Sequence, residues 1–189
     1  MAKNKNYTVE YQRKVKGLTN YRKRLNMLKS ETTRAVIRQS LNNLIIQAVN
    51  YDKKGDKILA TVSTKHLLKL GWNAYRGNIP SAYLTGLFAG KKFKKIGIKE
   101  LIVDFGLQKK GDKLYAAVKG LIDSGLEIPC SGEKLPDEKT VSGQKIEDYA
   151  KSLDEEHYKK QFSSYIKNKF DVKNFTKHFN DIKKKVMEA

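Results

Sequence analysis

The residues best suited to chemistry in this sequence are cations that alternate with tyrosines near the N-terminus. The cations are Arg13, Lys14, Lys16, Arg22, Lys23, Arg24 and Lys29, and the tyrosines are Tyr7, Tyr11 and Tyr21. Cations neutralise phosphates and release counterions, while a tyrosine ring can stack on an unpaired base. Arginine is the better phosphate ligand because its planar guanidinium bonds two oxygens at once. The pattern predicts binding of a nucleic acid, the alternative being a basic tail without a ligand.

The positive charge of the chain is concentrated in its first half. The 189 residues include 39 Lys and Arg against 20 Asp and Glu, a formal net charge of +19. Residues 57–99 contain 9 basic residues and no acidic one, whereas residues 100–150 contain 7 basic and 10 acidic residues. A polyanionic partner is the simplest reason to hold so much self-repulsion on one part of a chain. The alternative, solvated lysine-rich helix faces, does not explain the acid-free stretch.

Four aspartates allow a catalytic interpretation. Together, Asp52, Asp56, Asp104 and Asp112 could hold two metal ions and form a metal-dependent RNA-processing nuclease, with Asp104 at a strand end as its best candidate. Asp52 and Asp56, however, lie in an expected turn, where aspartate suits the geometry, and Asp112 is explained as a helix cap. We therefore expect a protein without catalytic residues and keep the nuclease as the alternative function.

Other motifs for cofactors and metals are incomplete. The segment from Gly86 to Lys92 fails as a phosphate-binding loop, because its glycines are one residue too close and no Ser or Thr follows the first lysine. Cys130 is the only cysteine, which excludes an internal disulfide framework and a cysteine-rich zinc site. The histidines, His66, His157 and His178, lack the close spacing of a metal motif. We expect no cofactor, no metal and no small-molecule substrate.

The sequence contains no apolar run close to the ~20 residues that cross a bilayer. No apolar signal core follows its first residues, so we expect a soluble, cytoplasmic protein without a membrane partner. A third interpretation, a peripheral membrane protein held by its basic face, would need apolar anchors beside the cations.

Apolar spacing predicts an α/β (α+β) fold, in which helices cover a mixed sheet. Three antiparallel strands are followed by a helix, a strand and a helix. The strands are expected at 34–38, 44–51, 58–63 and 101–105, and the helices at 64–70, 81–95, 112–122, 154–169 and 171–187. Gly86 and Gly90 inside the second of these helices each cost about 1 kcal/mol relative to alanine, so another backbone must come very close there.

Three segments with different tasks follow from this pattern. Residues 1–33 form a basic N-terminal RNA-binding arm, residues 34–129 an α/β core domain, and residues 130–189 a loop plus a C-terminal helical extension. The apolar stripes of the last two helices are expected to pack on each other or on the core. The alternative is that they dock onto an assembly partner.

Three blocks of this sequence, in order, resemble the family of large ribosomal subunit protein L-eighteen in its archaeal form. The first is Lys16-Gly17-Leu18-Thr19-Asn20-Tyr21-Arg22-Lys23-Arg24-Leu25, and the second comprises Leu70-Gly71-Trp72 and the segment from Gly77 to Gly90. The third runs from Ala117 to Pro129 and ends in Gly125-Leu126-Glu127-Ile128-Pro129. The similarity extends from about residue 7 to residue 153.

The resemblance implies a ribosomal protein of the cytoplasm that binds 5S rRNA and anchors it in the central protuberance. It also implies contacts with 23S rRNA and with the neighbouring L-five protein. In this family the tyrosines and arginines of residues 11–24, the strand with Arg34 and Arg38, and the loop from Trp72 to Ser81 are expected to face RNA. With the added lysines, the predicted RNA contacts are Tyr11, Arg13, Lys14, Lys16, Tyr21, Arg22, Lys23, Arg24, Arg34, Arg38, Lys65, Trp72, Arg76, Asn78, Ser81, Lys91 and Lys92.

Overall fold

The computed structural model of the protein describes residues 8–168 and 170–188, so Tyr7, one of the tyrosines of the N-terminal pattern, lies outside the described residues. Its centre is a four-stranded sheet in the spatial order β3-β2-β1-β4. The strands are β1 (Arg34–Gln39), β2 (Leu44–Asn50), β3 (Lys57–Ser63) and β4 (Ile102–Asp104). The predicted α+β class and all four predicted strands are confirmed.

The sheet is mixed because the chain returns to β1 after a long helical crossover. β1 pairs antiparallel with β2, and β2 with β3, while β4 runs parallel to β1 with Val36 opposite Asp104. Ala35 and Ile37 are fully buried on the face that carries the core. Since side chains alternate along a strand, Arg34, Val36 and Arg38 lie on the opposite face of the sheet, the open face.

Ten helices accompany this sheet within residues 8–168 and 170–188. They are α1 (Gln12–Val15), α2 (Tyr21–Leu28), α3 (His66–Lys69), α4 (Ile79–Lys95), α5 (Asp112–Asp123), α6 (Glu138–Val141), α7 (Gln144–Ser152), α8 (Glu155–Gln161), α9 (Ser163–Lys167) and α10 (Phe175–Glu188). Short 3₁₀ turns occupy Gly132–Lys134 and Val172–Asn174. In the described part of the chain, none of these helices has the length and apolar character to span a bilayer.

Helices α4 and α5 pack with their backbones in contact, as the mid-helix glycines predict. A Cβ atom on Gly86 would lie 2.1 Å from the carbonyl oxygen of Ala117, and one on Gly90 would lie 1.9 Å from Oγ of Ser124. The matching glycine of α5 is Gly120, which was not predicted and whose Cβ would lie 2.2 Å from the carbonyl oxygen of Tyr83. The missing side chains let the two helices form one closely packed layer behind the sheet.

Several helices differ from the predictions. The helices α3, α4 and α10 begin at His66, Ile79 and Phe175, whereas the predicted starts are residues 64, 81 and 171. The N-cap of α5 is Gly111, without a side-chain cap, and Asp112 is the first helical residue, where its charge suits the positive helix end. The helix predicted over 154–169 is broken at Phe162, which turns inward and is 8% exposed. The polar stretch after Pro129 contains α6, and α7, which was not predicted, follows it.

The C-terminal helix α10 packs on α4 and α7. Its buried stripe, Phe175, Phe179, Ile182 and Val186, belongs to the same hydrophobic core as the sheet. The ring of Phe179 lies 5.9 Å from that of Tyr83 in α4, and Lys183 Nζ lies 5.4 Å from the Tyr83 ring centroid. Packing on the main body, the first of the two predicted alternatives, is therefore what the structure has, while the three-part division of the chain stays a prediction.

Gly120→Ala should destabilise the fold, because the added methyl group meets backbone atoms that cannot rotate away. We expect the free energy of unfolding to fall by about 1–3 kcal/mol despite the better helix propensity of alanine. Chemical denaturation measures the loss. Gly132→Ala is the control, since its Cβ would meet nothing within 4 Å, and an equal effect of the two substitutions would contradict the packing argument.

Glu147→Gln should weaken the attachment of α10 in a pH-dependent way. Hydrogen bonds from Lys151 and from the Thr176 N–H lower the pKa of Glu147 from its ordinary 4.5 to about 2. The stabilisation is thus present above pH 4.5 and is lost as the pH falls towards 2. We expect a loss of about 0.5–1 kcal/mol at pH 7 that shrinks at acidic pH. Thermal unfolding at several pH values tests this, with exposed Asp148→Asn as the control.

Candidate nucleic-acid interface

The interface is built around a buried arginine at the start of β1. The Arg34 side chain is 2% exposed, and its Nη2 donates a hydrogen bond of 2.7 Å to Oδ2 of Asp56. Its Nη1 lies 3.5 Å from Oδ2 of Asp104. Asp56 ends the loop between β2 and β3, and Asp104 ends β4, so one guanidinium joins three parts of the sheet. A buried charge requires such partners because water no longer solvates it.

Arg38 lies two pleats further along β1 and shares Asp104 with Arg34. Its Nη1 donates to the carbonyl oxygens of Ile37 and Asp104 at 2.9 and 2.7 Å, and its Nη2 lies 3.6 Å from Asp104 Oδ2. The other carboxylate oxygen of Asp104 accepts from the N–H of Gly106 at 2.7 Å. The side chain of Arg38 is nevertheless 40% exposed, so this cation is oriented by the protein and still accessible.

Asp56 and the carbonyl of Gly106 fasten the N-terminal arm to the sheet. Nη2 of Arg24, in α2, donates a 2.7 Å hydrogen bond to Oδ1 of Asp56, and Lys23 Nζ donates to the carbonyl of Gly106 at 3.4 Å. Burial raises the pKa of Asp56, but hydrogen bonds from Arg24 and Arg34 outweigh it and leave this pKa below its usual value. The helix α2 of the arm therefore lies against the sheet, next to the loop between β2 and β3.

The remaining cations of the arm surround a pair of tyrosines. The rings of Tyr11 and Tyr21 lie 4.8 Å apart, and Tyr11 is 69% exposed. Asn20 caps α2 by accepting from the Lys23 N–H at 3.0 Å. Arg22, on the first turn of this helix, is exposed. Arg13 donates to Thr19 at 2.9 Å, Lys14 pairs with Glu10, and Lys16 is exposed. Cations and aromatic faces thus share one exposed surface, which suits phosphates and unpaired bases.

Three predicted RNA contacts lie inside the protein instead. Arg34 is 1% exposed, and Trp72 and Ser81 are fully buried. Trp72 stacks on His178 with ring centroids 5.2 Å apart, and Ser81 donates to the carbonyl of Arg76 at 2.7 Å. These side chains hold the surface in place and do not themselves form it.

The loop before α4 is ordered by those buried groups. The Asn78 side chain caps α4 by accepting from the Ser81 N–H at 3.0 Å. The neighbouring Arg76 remains half-buried at the loop surface. Tyr75 was not among the predicted contacts; its hydroxyl donates to the carbonyl of Leu41 at 2.7 Å, and its side chain is 46% exposed. The loop thus presents a cation and an aromatic ring from a rigid frame.

A row of residues crosses the open face of the sheet from the arginine cluster to the lysines. Val36 lies between Asp104 of β4 and Gln47 of β2, and Gln47 is opposite Thr61 of β3. At the far end, Lys92 Nζ reaches the carbonyl of Thr61 at 3.4 Å. Lys91 is half-buried beside Lys92 on α4, and Lys65 is exposed after β3. Gln47 donates to Thr61 Oγ1 at 3.1 Å, and Ile45, on the same face of β2, is 41% exposed. The face between the two groups of cations is therefore uncharged and partly apolar.

The aspartates do not form the nuclease site of the alternative interpretation. Asp104 lies between two arginines, whose charges oppose binding of a divalent cation, and Asp56 is committed to Arg24 and Arg34. Within the described residues, no three His, Cys, Asp or Glu side chains come together as a possible metal site. The arrangement offers cations, which suit an anionic ligand.

One comparison with known proteins bears on this surface. Residues 5–102 match the model of a family described as ribosomal large subunit proteins 60S L5 and 50S L18. The match covers just over half of the chain and includes the arm from residue 5, the strands β1 to β3, the first residue of β4, and the loop before α4. The residues of the candidate interface lie almost entirely inside the matched segment.

Asp56→Asn should loosen the arm, since it weakens the ion pairs to Arg24 and Arg34 together. We expect about 1–3 kcal/mol lower stability, because Arg34 stays buried with one carboxylate fewer. Trypsin should also cut after Arg22, Lys23 or Arg24 sooner than in the parent protein. Asp52→Asn, in the same loop, is the matched control, and equal cleavage rates for all three proteins would show that the arm is not held by Asp56.

Proposed function

The chain belongs to the family of ribosomal large subunit proteins 60S L5 and 50S L18, and on that premise we propose that it binds 5S rRNA and attaches it to 23S rRNA. Membership makes it a structural, rRNA-binding protein of the cytoplasmic large ribosomal subunit. The choice of 5S rRNA, the central protuberance and the contact with the L-five protein follow from the three motif blocks. The same blocks favour the archaeal form of the family.

The observation that carries the proposal is a set of cations fixed in position before any ligand arrives. Arg38 is held by Asp104, and α2 with Arg22 and Lys23 is held by Asp56 through Arg24. Because these side chains are already oriented, less conformational entropy is lost when they meet phosphates. Binding energy then comes mainly from counterion release.

Selectivity for a folded RNA would come from its shape and its unpaired bases. Side chains cannot read the deep, narrow major groove of an A-form helix, so proteins recognise RNA by backbone geometry and by stacking on splayed bases. The tyrosine pair of the arm, with Tyr11 largely exposed, suits stacking. The uncharged sheet face between the two groups of cations suits the shallow groove of an RNA helix, whose phosphates flank it on both sides.

Replacing Arg22 and Lys23 by alanine should weaken binding of a 5S rRNA transcript by about 10–100-fold at low salt. The plot of log affinity against log salt should lose about two units of slope, one for each phosphate contact. Fluorescence anisotropy across a salt series measures both quantities. Lys139→Ala with Lys159→Ala, on the C-terminal helices, removes the same charge and should leave affinity nearly unchanged.

Two outcomes of that experiment would overturn the proposal. If the control pair lost as much affinity and slope as the arm pair, the arm would contribute only net charge. If the parent protein bound a transfer RNA as tightly as the 5S transcript, the protein would not distinguish 5S rRNA, although its place in the ribosomal family would stand.

A further inference from the structure

A second concave surface is built from residues outside the arm. It is a cleft of about 710 Å³ between the loop before α4 and the helices α8 and α9. Its wall also includes Asn42, from the turn between β1 and β2, whereas the arm is bonded to Asp56, before β3, and to Gly106, after β4. Among the described residues, none of those that line the cleft belongs to the arm.

The cleft is lined by polar side chains with unused hydrogen-bonding capacity. Across residues 8–168 and 170–188, the lining side chains without a hydrogen-bond or ion-pair partner are Asn73, Arg76, Gln161, Ser164 and Asn168. They offer amide donors and acceptors, a hydroxyl and one guanidinium. No Asp or Glu lines the cleft within the same residues. A ligand with both donors and acceptors, and with negative charge, fits this chemistry.

Tyr75 gives the cleft a fixed aromatic face. Its hydroxyl donates to the Leu41 carbonyl at 2.7 Å, and its N–H donates to the hydroxyl of Tyr165 at 3.3 Å. A Cβ on Gly77 would lie 2.7 Å from the Tyr75 ring, so the glycine leaves room for the ring in this orientation. With 46% of the side chain exposed, the ring is held on one side and accessible on the other. A planar base could stack there.

We propose that this cleft receives an unpaired nucleotide of the bound 5S rRNA, a step that rests on the function proposed above. The base would stack on Tyr75 and bond to the amides of Gln161 and Asn168, with its phosphate towards Arg76. A volume of about 710 Å³ lies in the range of small-ligand pockets. The exposed lysines next to the lining residues, Lys69, Lys160 and Lys167, favour a negatively charged ligand over a neutral or basic one, and the exposed face of Tyr75 favours a nucleotide among the negatively charged ligands.

Filling the cleft tests the proposal. Ser164 is exposed on α9 and lines the cleft, so Ser164→Trp should occupy it without disturbing the core. Ser163→Trp, on the same helix and outside the lining, is the matched control. Binding of a 5S rRNA transcript to the full-length protein should weaken on the order of tenfold for Ser164→Trp, the contribution of one stacked base. Ser163→Trp should bind like the parent.

Chemical probing of the RNA gives a second readout. One or a few unpaired nucleotides that the parent protein protects should become reactive in the complex with Ser164→Trp. Tyr75→Leu should expose the same nucleotides, which guards against a folding defect of one variant. The Arg22 and Lys23 double variant should leave them protected at protein concentrations that restore binding, which separates the cleft from the arm.

Three results would overturn the assignment. Unchanged affinity and unchanged protection with both cleft variants would show that no 5S nucleotide enters the cleft, while the proposed function would stand on the arm. Unchanged RNA binding together with lost binding of the L-five protein would assign the cleft to a protein partner. If the parent did not bind the 5S transcript at all, this inference and the proposed function would fail together.

Discussion

The charge of Arg34 cannot be left alone inside the protein, and the basic surface takes its shape from that constraint. Asp56 and Asp104 neutralise the guanidinium, and each carboxylate then holds a further arginine, Arg24 or Arg38. Removal of one member of such a cluster leaves an uncompensated buried charge, which is far costlier than loss of a surface ion pair. The strand β1, the hairpin, β4 and the N-terminal arm are thereby held in one arrangement.

The rest of the molecule gives this cluster a rigid support. The glycine contact between α4 and α5 makes a closely packed layer behind the sheet, and α10 extends the same core. Trp72 and His178 connect the loop before α4 to the C-terminal segment. The arginine cluster and the loop before α4 are consequently both ordered in the free protein. The surface can therefore bind a large RNA without having to fold first.

Sequence patterns predicted what local spacing determines. The placement of Ala35 and Ile37 on one face, with Arg34 and Arg38 on the other, predicted β1, and Gly86 and Gly90 predicted the close helix contact. Arg34 could not be distinguished from Arg38, because both occupy the same face of β1 and the partners that bury Arg34 lie 22 and 70 residues away in sequence. The break at Phe162 was hidden by an apolar stripe that continues across it. The individual RNA contacts stay predictions, because their partner is another molecule.

The contact of Lys92 with β3 protects the edge of the sheet while the protein is free of its partners. β3 is an edge strand, and its outward backbone groups are a template on which a second chain could add a strand. Lys92 reaches from α4 to the Thr61 carbonyl, so an ammonium group occupies one of those acceptors and places a charge along the edge. An incoming strand would have to displace that contact and desolvate the charge. The edge is thus guarded against aggregation during the interval between synthesis and incorporation.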